Sequence, residues 1–228
     1  MNPIQLAKYF LRFIASDRRK KYGSIIDGEE VFSSNYQDLA VINLFQQKRD
    51  GYYIEIGAQD PVKRSNTYSL ETNYGWRGLS FEIDPEYVSF FNQFRKNKCI
   101  PGDATKHDYK KLFHENSLPP VIDYLQVDID PPSASLAVLK KIPFDTTTFS
   151  FITFEHDSYK FGSDAAHEQR DILQNLGYRA LAIDTSQDGK PFEDWWISAD
   201  LANRLQLAAE LPFVGHDCKD IALSLSNT

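Results

Sequence analysis

Cysteine is nearly absent from this sequence: Cys99 and Cys218 are the only two in 228 residues. They are too few for a disulfide framework and stand at no metal-binding spacing, which suits a reducing cytoplasm. Cationic charge is in deficit, with 25 Lys and Arg against 32 Asp and Glu, a net charge of −7 and a pI near 5.2. That balance argues against a surface built to track phosphates, so no nucleic-acid partner is expected. No apolar run approaches the roughly 20 residues that a membrane span needs. The start Met1-Asn2-Pro3-Ile4-Gln5 lacks the basic and apolar regions of a signal peptide, and the expected location is cytoplasmic. The dinucleotide fingerprint G-x-G-x-x-G is missing, which weakens a nicotinamide-dependent oxidoreductase. Internal repeats and low-complexity segments are missing too.

What is present fits one α/β domain with an appendage: 42% of the residues are hydrophobic and 14% aromatic, enough for one sizeable core. Leu6, Phe10, Phe13 and Ile14 recur at helical spacing within residues 3–22, ahead of Asp17-Arg18-Arg19-Lys20-Lys21. This predicts an amphipathic helix with a basic end, packed on the body or on a second copy in a homo-oligomer, or else in peripheral contact with an anionic membrane. Gly23 to Gly28 reads as a linker. The division is therefore an N-terminal helix and linker over 1–33 and a body domain over 34–228, whose first helix is capped by Ser34 or Asn35.

The body is organised around Gly51-Tyr52-Tyr53-Ile54-Glu55-Ile56-Gly57-Ala58-Gln59-Asp60-Pro61. Tyr53, Ile54 and Ile56 suit a buried strand, and Gly57 and Ala58 leave room for a ligand at its carboxyl end. Glu55 is costly to bury without a partner. Ser65-Asn66-Thr67 then opens a helix that runs to Tyr74 and stops at Gly75, and its amino end suits a ligand carboxylate or phosphate beside Ser65 and Asn66. Leu79 to Asp84 is the second strand. Its Glu82 lies 25 residues past Gly57, near the spacing at which an acid receives ribose hydroxyls, so a nucleoside-containing ligand is expected. Three more strands also end in acids: Lys98 to Ile100 before Asp103, Val121 to Val127 before Asp128 and Asp130, and Thr148 to Phe154 before Glu155-His156-Asp157. Tyr178 to Ile183 and Phe192 to Ile197 form a closing β-hairpin across Asp188-Gly189. In that hairpin, adjacent Trp195 and Trp196 are expected to face inward and outward in turn. Pro212 to Thr228 shows little pattern and reads as a loosely attached tail.

The motifs Y-x-E-I-G-A-x-D-P, S-N-T-Y-x-L-E, G-W-R-G-L-S-F-E-I-D-P, D-Y-L-Q-V-D-I-D and I-T-F-E-H-D follow one another across residues 34 to 197. In this order they resemble the S-adenosylmethionine-dependent methyltransferases of the FkbM type. The resemblance implies a class I methyltransferase (Rossmann-like) three-layer α/β fold: a mostly parallel seven-stranded sheet ending in a β-hairpin, here with an N-terminal helical extension. It implies O-methylation of a sugar, glycan or glycosylated small molecule. It places Glu55, Gly57 and Ala58 at the cofactor turn, Glu82 on the ribose, Asp103 beside the adenine and Asp128 at the reacting end. Relatives carry D-V-E-G where this chain has Asp128-Ile129-Asp130-Pro131-Pro132, a departure at the acceptor pocket.

Methyl transfer from a sulfonium is an in-line displacement, and a hydroxyl acceptor must also lose a proton. His156, at a strand end beside Asp128, is the expected general base. A divalent ion held by Asp128, Asp130, Glu155 and Asp157 would polarise the hydroxyl, and such an all-oxygen set favours Mg2+. Convergence of these acids requires either that cation or a charged His156. Two other readings are a catalytically inactive cofactor-binding or assembly module and the nicotinamide oxidoreductase.

Overall fold

The computed structural model describes residues 17–207 and 212–227. Its centre is an eight-stranded sheet flanked on both faces by helices. The strands, in chain order after a small hairpin of β1 (Ser24–Ile26) and β2 (Glu29–Val31), are β3 (Tyr52–Ile56), β4 (Arg77–Glu82), β5 (Lys98–Pro101), β6 (Val121–Val127), β7 (Thr148–Glu155), β8 (Arg179–Gln187), β9 (Lys190–Ile197) and β10 (Phe213–Val214). Their order in the sheet is β10-β8-β9-β7-β6-β3-β4-β5, and only β9 runs antiparallel to its neighbours. The seven expected strands are thus joined by a short eighth. Chain order reverses between β3 and β6, and the carboxyl ends of parallel strands splay apart at such a switch point, leaving a crevice.

Alternation along the strands feeds two cores. Tyr53, Tyr124, Phe151 and Trp195 join one, whereas Ile54, Leu125, Ile152 and Trp196 join the other. Both tryptophans are fully buried, which corrects the inward-and-outward expectation: with helices on both faces, this sheet has no solvent side.

Three further expectations are corrected. Residues 23–28 are not a linker, because Asp27 and Gly28 at φ 50° and 84° form the tight turn of the β1–β2 hairpin. Neither Ser34 nor Asn35 caps the first body helix, Gln37–Leu44. Its N-cap is Tyr36 in the left-handed region, and the buried Asp38 carboxylate instead accepts the Phe32 and Ser33 amides and the Ser33 hydroxyl. The C-terminal segment is not a loose tail, since β10 extends the sheet and helix Cys218–Ser224 buries Cys218, Ile221 and Ala222 against the first core.

Leu6, Phe10, Phe13 and Ile14 lie outside the described residues. Residues 17–22 are helical, and two of their four cations form ion pairs within the chain: Arg18 pairs with Asp60, and Arg19 with Glu30, while also reaching Asn73. Among the described residues, no helix is long and apolar enough to cross a membrane.

Candidate active site

Three strand ends are tied together where β3 stops. The Gly57 amide donates to Phe81 O at 2.9 Å, and the Asp128 amide donates to Ile56 O at 3.0 Å. Gly57 has φ 88°, and a Cβ there would lie 1.9 Å from the Asp128 carbonyl oxygen. Only glycine fits this turn. Gly57 lines two adjoining cavities, one of about 350 Å³ over β4 and β5 and one of about 450 Å³ over β6 and β7.

The smaller cavity is built around Glu82, which is 7% exposed at the end of β4. Its Oε2 accepts the Gln59 amide at 2.7 Å and its Oε1 accepts the Asp84 amide at 2.8 Å. A carboxylate oxygen has two lone pairs, so each can accept one more hydrogen bond. Ile83, Ala104 and Ile129 give the cavity apolar faces suited to a flat heterocycle. Ile129 is fixed by Ser135, whose hydroxyl accepts from its amide and donates to its carbonyl. Asp103 lines the same cavity. Its Oδ1 accepts the Thr105 amide and hydroxyl, bonds that, with Lys106 nearby, hold its carboxyl down at about 2. These groups fit a nucleoside: an acid for a diol, apolar walls for a base, and a glycine cradle that a Cβ would fill.

The larger cavity has an acidic floor. Glu55 is buried, receives the Ser80 hydroxyl at 2.6 Å, and is pushed up by burial while the nearby Arg95 guanidinium opposes that shift. Asp128 and Glu155 share a hydrogen bond, and burial together with their mutual repulsion and that of Asp157 keeps a proton on the pair well above the ordinary carboxylate range. Gln126 donates from Nε2 to Asp128 Oδ2 at 3.4 Å, and Gln37 donates from Nε2 to Glu193 at 3.2 Å. Glu193 also accepts from the Trp195 indole, yet burial pushes it up to about 8. At the exposed rim stand Arg64, Tyr159 and Lys190.

Glu55, Gly57, Ala58, Asn66, Asp128, Glu155 and Asp157 all line the larger cavity, whereas Glu82, Asp103 and Asp130 line the smaller one. The four expected metal carboxylates are thus divided between the two cavities, and among the described residues they form no set whose ligand atoms all lie within 4.8 Å of one another. Among the described residues, the one trio whose ligand atoms lie within 4.8 Å of one another is His156, Asp184 and Asp194. The Arg170 guanidinium already binds both of those acids at 2.7 Å.

His156, the expected general base, stands apart from both cavities. It is fully buried and lines neither cavity; its Nδ1 accepts the Ser158 amide at 3.2 Å, and its Nε2 lies 3.3 Å from Asp194 Oδ1. The residue after a strand-end acid turns to the opposite side of the sheet, which carries His156 away from Glu155. Ser65 also lines neither cavity. The helix begins at Tyr68, and the Ser65 hydroxyl accepts the Thr67 and Tyr68 amides and an Arg95 N–H.

Arg95 was invisible to motif reading, although it organises this loop. Fully enclosed, it donates to Glu71, Pro61 O, Tyr53, Ser65 and Thr67, and it lies over the Phe91 ring at 4.5 Å. Gln37, Gln126 and Glu193 were missed as well. Their one sequence signal is a polar residue at an otherwise apolar, buried position.

No family model and no curated protein matches the chain. Among solved structures it is similar to a candidate rRNA methylase from Clostridium thermocellum, at 13% identity over 74% of this chain and 96% of that one, with a TM-score of 0.52. It is similar to cofactor-bound Rv0187 from MTB at 13% identity over 86% and 97%, also with a TM-score of 0.52. An O-methyltransferase from Bacillus cereus in complex with SAH aligns at 14% identity over 84% and 90%, with a TM-score of 0.47. The architecture that the first two share with this chain is a Rossmann-like α/β fold.

Proposed function

We propose that the protein is an S-adenosylmethionine-dependent methyltransferase of the FkbM type that methylates a hydroxyl of a sugar, glycan or glycosylated small molecule. The observation that carries this reading is Glu82: a buried strand-end carboxylate with one backbone amide on each oxygen and its remaining lone pairs free for a ribose diol. Asp103, Ile83 and Ile129 frame the adenine. Glu55 and Asp128 beside Gly57 receive the methionyl ammonium, and Asn66 and Arg64 its carboxylate. When bound, the cofactor supplies a methyl already activated on a sulfonium.

The acceptor occupies the rest of the larger cavity. The cavity would hold the acceptor hydroxyl toward the cofactor's methyl, and the free carboxylate oxygen of the Asp128–Glu155 pair would take the hydroxyl proton. This assigns to the carboxyl pair the role that sequence reasoning gave to His156 or a magnesium ion. Some proteins of similar fold are named for rRNA. The acidic floor and the net charge of −7 disfavour a polyphosphate chain here and support a small or glycan acceptor.

The test is calorimetric titration with S-adenosylhomocysteine. Losing charge-assisted bonds to the ribose costs ~1.5–3 kcal/mol, so Glu82→Ala should weaken binding by roughly ten- to a hundredfold in a folded protein. Unchanged affinity removes Glu82 from the site. Affinity without any turnover on a panel of glycosides would favour an inactive cofactor-binding module.

A further inference from the structure

The floor of the larger cavity accepts hydrogen bonds almost everywhere and donates almost nowhere. Gln37 and Gln126 line it, are 3% and 1% exposed, and each turns its amide nitrogen toward an acid, Glu193 and Asp128 respectively. That orientation leaves both carbonyl oxygens, buried, with no partner among the described residues. Such groups are costly unless a ligand satisfies them. Around them stand Glu55, Asp128, Glu155 and Asp157, and the two cations that line the cavity among the described residues, Arg64 and Lys190, are at the exposed rim.

The cofactor does not balance this floor. Its methionine end carries an ammonium, a sulfonium and a carboxylate, a net single positive charge, and the acids nearest Gly57 suffice to receive it. Glu155, hydrogen-bonded to Asp128, and Asp157 line the same cavity, and Glu193 stands behind Gln37. A neutral polyol could donate to the two carbonyl oxygens but would leave the neighbouring carboxyl pair holding its proton, as repulsion between buried acids requires when no cation is present. An ammonium answers both needs, because it carries three N–H donors, no acceptor and one positive charge.

Resting on the methyltransferase reading, we infer that the methyl acceptor is a polyol bearing a protonated amine, such as an amino sugar or an aminated glycoside. Its ammonium sits among Gln37, Gln126 and Glu155, and a neighbouring hydroxyl faces Asp128. The ammonium has no lone pair and is the anchor, so the methyl goes to oxygen.

The experiment uses the full chain saturated with S-adenosylhomocysteine, whose binding is measured first. If that cofactor product does not bind, the methyltransferase reading fails before the acceptor is tested. Three probes follow: the methyl glycosides of glucosamine, glucose and glucuronic acid, titrated at low and high salt. The amino glycoside should bind about ten- to a hundredfold more tightly than the neutral one, as expected of a charge-assisted bond, and lose part of that advantage at high salt. The acidic glycoside should bind most weakly. Glu155→Gln should bring the affinity for the amino glycoside close to that for the neutral one. Equal affinity of wild type for the amino and neutral probes, no binding of the amino probe, or tighter binding of the acidic probe overturns the inference, whether or not the variant folds.

Discussion

The two cavities that meet at Gly57 treat their carboxylates in opposite ways. Over β4 and β5, Glu82 and Asp103 are each held by nearby backbone amides, so their charge is compensated before any ligand arrives. Over β6 and β7, the half-buried Asp128 and Glu155 and the buried Glu193 stand close to one another, and all three are pushed up by desolvation. The first arrangement is a rigid receptor for a neutral diol. The second stores an electrostatic demand that a ligand must meet, so selectivity for the acceptor resides there.

The junction is the place to break both cavities at once, and it carries the largest expected effect. Gly57→Ala puts a methyl against the Asp128 carbonyl at a φ that L residues rarely adopt. Backbone must move, at a cost on the order of 5 kcal/mol. Thermal denaturation should show a large loss of folded protein, and S-adenosylhomocysteine binding should be lost from whatever remains. A variant that melts and binds like wild type would mean that β3 and β6 are not held this closely.

The same contrast explains what could be read from the sequence. The β3 to β7 series, the glycine turn and Glu82 are local features: short apolar runs ending in an acid, at the spacing of βα units. The acceptor floor is not local. Gln37, Gln126, Glu155 and Glu193 come from a helix and three strands, and they meet only because β9 inserts antiparallel beside β7. Sequence reading also treated Glu155, His156 and Asp157 as one cluster, although successive residues at a strand end point to different sides. Arg95 sits at the end of helix Pro85–Phe94, where a cation is unremarkable on helix-dipole grounds, and its five partners lie 24 to 42 residues away in sequence.

A smaller effect should separate the two cavities by pH. Glu193 ionises near 4.5 when unfolded and at about 8 in the folded protein, so folding retains a proton that the unfolded chain gives up. Its contribution is whole below 4.5 and is lost as pH rises through about 8. Each pH unit corresponds to about 1.4 kcal/mol, so roughly 5 kcal/mol bounds the loss for this fully enclosed group. The ligand-free protein should therefore melt at progressively lower temperature between those pH values, and Glu193→Gln should flatten the decline. Glu82→Ala should leave the slope as it is. A ligand-free protein whose melting temperature is level across that range would remove the stored demand from the larger cavity.

His156 sharpens the comparison from outside both cavities, with the smallest effect of the three. It fills a buried position between the Ser158 amide and Asp194, in a network where Arg170 reaches Asp184 and Asp194 and Gln169 reaches Asp194. Bonds from His156 and Arg170 hold the Asp194 carboxyl below its ordinary value even though burial opposes them. Removing the ring takes away one of those donors and leaves a void and an unpaired Ser158 amide, a cost of about 1–3 kcal/mol. His156→Ala should thus lower the melting temperature while cofactor affinity per folded molecule stays at the wild-type value. If methyl transfer is followed against pH, the variant should keep the wild-type profile, because the proton leaves through Asp128 and Glu155. Loss of transfer in a folded, cofactor-binding His156→Ala protein would return the base to His156 and place the reacting hydroxyl on the other side of β7.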